Sequence, residues 1–136
     1  MNGTGTDSPE YVFDLGNTPI PALVEVRNWL RELLPGITDE ALQDVELVTT
    51  ELLTNAYEHA AGPFGLRLAR LYGQGLVRLE VDDGAPHLLP RSGRAAPNDR
   101  RGRGLLMVGA ICGDWGMRLD ADRKTVWAEV PIVSLR

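Results

Sequence analysis

The chain is poor in cysteine and lysine, and it has no long apolar run. Cys112 is its only cysteine, so neither an internal disulfide nor a cysteine-based zinc cluster can form. Lys124 is its only lysine, against thirteen arginines. Basic residues number 14 and acidic residues 19, a net charge of −5 that argues against a general nucleic-acid binder, which carries a basic excess. The longest apolar run, Leu105 to Cys112, is far too short for a membrane span. Met1 is followed by Asn-Gly-Thr-Gly-Thr-Asp-Ser, which holds neither the basic nor the apolar region of a secretory signal. These absences lead us to expect a soluble, cytoplasmic protein that binds no membrane and no nucleic acid directly.

What remains is enough for one domain. The 136 residues are 43% apolar, and a chain of this length buries about two-thirds of its unfolded surface. Residues 1–10 are polar and read as a loose tail. Tyr11 to Leu15 reads as a short strand. Asn17 or Thr18 can cap a following helix whose first turn suits Pro19, and Leu23, Val26, Leu30, Leu33 and Leu34 recur along it at helical spacing. Pro35-Gly36 ends it, and Thr38 starts a second helix with a stripe of Ala41, Val45, Val48, Leu52 and Ala56, stopped by Gly62-Pro63. Leu66 to Leu71 and Leu76 to Val81 read as two strands joined across Gly73-Gln74-Gly75. The proline- and arginine-rich stretch 82–104 reads as a long functional loop, and Gly104 to Cys112 as a helix. Trp115 to Leu119 and Thr125 to Val130 close the chain as a pair of strands around Asp120-Ala121-Asp122. The order lacks a regular βαβ alternation, so we expect an α+β two-layer sandwich: a mixed, mostly antiparallel sheet with helices on one face.

Three constellations carry chemistry. Glu51, Asn55 and His59 lie four residues apart, which puts a carboxylate, a carboxamide and an imidazole on one helix face. By spacing alone, the plainer reading is a solvated face. The functional reading is that Asn55 offers a neutral hard oxygen suited to Mg²⁺, while Glu51 accepts a proton one turn earlier. His59 either orients a neighbour or caps the helix end, where partial positive charge is favoured. Asp82 and Asp83 precede Gly84-Ala85-Pro86. They form either a strand-end turn or, for the one that points inward, a buried acceptor for a base amino group. If Val81 faces the core, alternation places Asp83 there too, so Asp83 is the better candidate. Gly102-Arg103-Gly104-Leu105 is a loop–helix junction, and such a helix start exposes N–H groups that attract phosphate. It is neither a Walker A loop nor a dinucleotide fingerprint.

In this order and spacing, these elements resemble the GHKL ATPase superfamily, which has the Bergerat, or histidine-kinase-like, ATP-binding fold. The likeness is nearer to its small single-domain branch, the anti-sigma-factor serine/threonine kinases and their actinobacterial regulatory relatives. Glu51-Leu52-Leu53-Thr54-Asn55-Ala56-Tyr57-Glu58-His59-Ala60 is similar to that branch's N box. Val81 to Pro86 is similar to the first glycine box, and Gly102 to Val108 to the second, with Asp114-Trp115-Gly116 as the usual continuation. The likeness covers roughly residues 11–131, with a lid at about 90–101 and a C-terminal tail at 132–136.

The resemblance implies a set of roles. Glu51 would be the general base and Asn55 the Mg²⁺ ligand. Asp83 would read the adenine amino group beside Ala85, and Gly102, Arg103, Gly104 and Leu105 would hold ATP. It further implies an anti-sigma factor that phosphorylates a serine on a STAS-domain antagonist, with the sigma factor and that antagonist as partners. Homodimers are common among such relatives. In the first glycine box, Ala85 and His87 stand where the family carries glycine. That departure motivates a second reading, a partner-sequestering module with weak or no nucleotide binding. The catalytic half of a sensor histidine kinase is a third reading. A gyrase- or Hsp90-like machine is disfavoured, since no transducer domain follows the motifs.

Overall fold

Thr38 begins the longest element. Its hydroxyl accepts the amide of Ala41 at 3.0 Å and its carbonyl accepts the amide of Leu42 at 2.9 Å. The first of these satisfies one orphan donor of the helix start and the second is the first bond of the helix itself, while Asp39 and Glu40 in the first turn complement the helix dipole. Helix α2 (Asp39–His59) follows and buries Ala41, Val45, Val48, Leu52 and Ala56, with Leu53 beside them. Thr49 is also buried; its hydroxyl donates to the Val45 carbonyl at 2.7 Å, so the stripe carries a satisfied polar group. Helix α1 (Leu23–Leu33) packs on α2 and buries Val26 and Leu30.

In this computed structural model, residues 10–16, 23–59, 64–84 and 108–132 are described. They include five strands: β1 (Glu10–Gly16), β2 (Phe64–Leu71), β3 (Leu76–Asp83), β4 (Asp114–Leu119) and β5 (Lys124–Pro131). The sheet order is β1-β2-β3-β5-β4, and every described pairing is antiparallel. The β2–β3 connection is a 3₁₀ turn over Tyr72–Gln74, closed by Gly75 at φ 64°, a left-handed conformation that glycine adopts without a Cβ penalty. Residues 108–111 are helical. The cap at Asn17 or Thr18, the stop at Gly62-Pro63 and the start of the Gly104 helix lie outside the described residues.

Strand alternation gives the sheet two unlike faces. One is apolar: Leu66, Leu68, Val77, Leu79, Val81, Ala128 and Val130 are buried, and α2 lies across β3 and β5. On β1, Phe13 meets Trp29 of α1 edge-to-face at 5.4 Å. The other face carries charge. Arg67 reaches Glu80 at 2.6 Å and Asp82 at 2.8 Å, Arg78 reaches Glu80 and Glu129 at 2.7 Å each, and Arg118 reaches Glu80 at 3.2 Å. The architecture is thus the expected α+β sheet with helices on one face, and it differs at its margins. Glu10 and Ile132, which the sequence reading leaves in the tails, belong to β1 and to the core; the Ile132 amide donates to the Gly75 carbonyl at 2.9 Å. Asp82 and Asp83 end β3 rather than forming a turn. No helix among the described residues is long and apolar enough to cross a membrane.

Candidate functional site

The long helix and the end of β3 supply the site. Helical periodicity sets Glu51 and Asn55 one turn apart on α2, half-buried at the edge of the apolar stripe. The Asn55 side-chain oxygen Oδ1 is buried and finds no hydrogen-bond partner among the described residues. Leaving such a carbonyl unpaired costs about 1–3 kcal/mol, so Oδ1 calls for a partner beyond the described residues. A neutral, hard oxygen of this kind fits Mg²⁺, which is commonly held by one or two protein groups together with substrate phosphates. No group of three or more His, Cys, Asp or Glu able to hold a metal exists among the described residues. His59 ends α2, and its side chain lies outside the described residues.

At the end of β3 the alternation argued from sequence is realised. Val81 and Asp83 are both buried on the apolar face, at 1% and 2% exposure. Asp82 points the opposite way, where Arg67 donates to it through Nε and Nη2 at 2.9 and 2.8 Å and the Thr125 hydroxyl donates at 2.6 Å. Asp82 is therefore structural, and Asp83 is the acid that faces the interior. Directly across the β3–β5 ladder stands Lys124, whose ammonium lies 3.4 Å from Asp83 Oδ2 with both side chains almost wholly buried. Sequence reasoning did not find this partner; the signal was the chain's one lysine at the start of a strand.

Asp83 lines a cavity of about 350 Å³, together with Phe64, Gly65, Asp82, Gly84, Asp122 and Arg123. Its described lining reaches neither Glu51 nor Asn55. The link to α2 is Tyr57, whose ring packs on Phe64 at 4.3 Å. The Tyr57 hydroxyl is also buried without a partner among the described residues, and burial pushes its pKa up, so the phenol keeps its proton. Cys112 is not a candidate nucleophile: burial, with the Asp44 charge adding to it, pushes its thiol up to about 11. Ala85, Gly102, Arg103, Gly104, Leu105 and the 90–101 lid lie outside the described residues.

A family profile described as a histidine kinase-like ATPase domain matches residues 17–130. No curated protein matches the chain. Among solved structures, the RsbU and RsbW domains of Rv1364c from Mycobacterium tuberculosis match with a TM-score of 0.65 and 24% identity, over 91% of this chain and 32% of that one. The histidine kinase domain of the blue-light activated histidine kinase EL346 from Erythrobacter litoralis matches with a TM-score of 0.50 and 18% identity, over 81% of this chain and 59% of that one. The chain thus spans about a third of the first protein and less than two-thirds of the second, and at these identities the likeness is one of fold.

Proposed function

We propose that this chain, which belongs to the histidine kinase-like ATPase family, is a cytoplasmic ATP-binding regulator that transfers phosphate to a serine or threonine of a partner protein. The observation that carries the reading is the buried Oδ1 of Asn55, without a hydrogen-bond partner among the described residues, one helical turn from Glu51 on α2. The family implies ATP binding. The finer assignment, an anti-sigma factor acting on a STAS-domain antagonist, rests on the motif order and on the fold likeness to the RsbU–RsbW structure.

In this reading Glu51 accepts the proton of the attacking serine hydroxyl as its oxygen attacks the γ-phosphorus in line, and the bond from that phosphorus to the ADP oxygen breaks, with ADP leaving. Asn55 Oδ1 is the protein's ligand to Mg²⁺, which when bound neutralises charge on the phosphates. Asp83 accepts a hydrogen bond from the base, and the Gly102–Leu105 segment, with Ala85, holds the rest of the nucleotide. The sigma factor is the second partner, held until the antagonist's phosphorylation state releases it.

The test is transfer of labelled phosphate from ATP to purified STAS-domain proteins. The expected result is serine phosphorylation that falls at least about 100-fold in Glu51→Ala, the usual weight of a general base. Absence of phosphate on every such partner, with Glu51→Ala indistinguishable from wild type, would leave the sequestering module, a reading that Ala85 and His87 favour.

A further inference from the structure

We propose that β4 is a self-pairing edge: two copies of this chain join antiparallel along β4, about a twofold axis at Gly116, so that their sheets become one.

The sheet has two edges, β1 and β4, and no strand among the described residues covers the outer side of either. An open edge offers a row of unpaired N–H and C=O groups to another chain, and bulges, proline or lysine normally blunt it. β1 is blunted: its register shifts between Asp14 and Gly16, and its only charged residues, Glu10 and Asp14, are both acids. β4 lacks these devices. It runs against β5 in unbroken register from Asp114 to Leu119 and holds neither proline nor lysine. Met117 and Leu119 are 39% and 48% exposed along it.

The ladder to β5 decides which backbone groups face outward. The Asp120 amide donates to the Arg123 carbonyl at 2.9 Å, so that pair exchanges hydrogen bonds and every second pair back along the ladder does the same. Arg118, Gly116 and Asp114 therefore turn their amides and carbonyls to β5, while Leu119, Met117 and Trp115 turn theirs off the edge. The Trp115 amide donates at 3.0 Å to Oδ1 of its own neighbour Asp114, an acceptor that an added strand would supply as a carbonyl.

Charge selects the partner and the register. In the β4–β5 ladder Asp114 stands opposite another acid, Glu129, which Arg78 engages at 2.7 Å. Arg118 reaches Glu80 at 3.2 Å, a carboxylate it shares with Arg67 and Arg78. The edge thus sets an acid against an acid and a cation among cations, with Gly116 midway between the two. A second β4 laid antiparallel about Gly116 puts Asp114 against the partner's Arg118 and Arg118 against the partner's Asp114. In the new ladder these are non-hydrogen-bonded positions, where side chains approach most closely. The same register brings the outward groups of Trp115 to those of the partner's Met117, and glycine meets glycine at the axis. An axis at Met117 would instead oppose Asp114 and the partner's Asp120, like charges that disfavour it. β1 laid on itself would offer acids alone.

The test is sedimentation equilibrium of the full chain over a concentration series. Wild type is expected to dimerise with a dissociation constant on the order of 1–100 μM, since a strand edge is a small interface. Arg118→Asp and Asp114→Arg, each checked for folding by its thermal transition, place like charges across the axis twice. Each should weaken the dimer about tenfold or more. An equimolar mixture of the two variants matches every charge again and should associate about as tightly as wild type. Met117→Pro removes an outward amide that bonds nothing in β5, and proline is tolerated at such an edge. It should be monomeric over the same range, and it serves if a charge variant fails to fold. Wild type that stays monomeric to about 1 mM overturns the proposal. So do folded variants that dimerise like wild type, or a mixture no tighter than its components.

Discussion

Single side chains decide where this molecule can change. Gly116 of β4 stands opposite Trp127 of β5, and a Cβ there would come within 2.9 Å of the indole ring. The ring cannot simply retreat, because the Arg78 guanidinium stacks on it at 4.3 Å and is itself tied to Glu80 and Glu129. Gly116→Ala should therefore cost about 1–3 kcal/mol, the usual range for overpacking, measured by urea unfolding. A variant as stable as wild type would show that the ring slides freely. Asn55 presents the opposite case: its buried oxygen has no partner among the described residues, so removing it should be felt in ligand binding far more than in folding.

At the scale of elements, the charged face of the sheet is a cross-strand network. Burial by itself raises the Glu80 carboxyl; the hydrogen bonds from Arg78 and Arg118 and the charge of Arg67 together outweigh it and hold the group below its ordinary range. Asp82 behaves alike, with burial opposed by the hydrogen bonds from Arg67 and Thr125 and by nearby charge. Both folded values are depressed, so the unfolded chain binds protons first as pH falls. The stabilisation is complete above the unfolded carboxylate range, about pH 4, and is lost below it as the folded groups take up protons. Asp82→Asn should lose about 2 kcal/mol near pH 7 and show a smaller further loss than wild type on going to about pH 3, by urea unfolding at both values. Equal losses in the two proteins over that interval would assign the acid sensitivity to other groups.

Elements were also the level at which the sequence was most readable. The α2 stripe from Ala41 to Ala56, the Thr38 cap and the two hairpin partners follow from periods of 3.6 and 2 and from turn chemistry, all of which act over a few residues. The inward turn of Asp83 followed from alternation past Val81. The Asp83–Lys124 pair did not, because it depends on the register between β3 and β5, strands separated by the whole 84–123 stretch. The same limit hid the contact of Tyr57 with Phe64, which ties α2 to the cavity wall. The strand margins were missed because polar Asp82 and Asp83 look like a turn until their partners on β2 and β5 are known.

For the whole molecule, the fold brings an acid–amide helix and a buried carboxylate to one layer of an open sheet, in a family whose domain binds ATP. The central claim is that Asn55 completes a Mg²⁺-dependent nucleotide site. Calorimetric titration of ATP, with and without Mg²⁺, into wild type and Asn55→Ala tests it most directly. We predict binding by wild type that requires Mg²⁺ and falls at least about tenfold in Asn55→Ala, with the thermal transition of the variant within a few degrees of wild type. Binding that is unchanged by Asn55→Ala, or no binding by a well-folded wild type, would contradict the account and turn it toward a module that works by holding its partner alone.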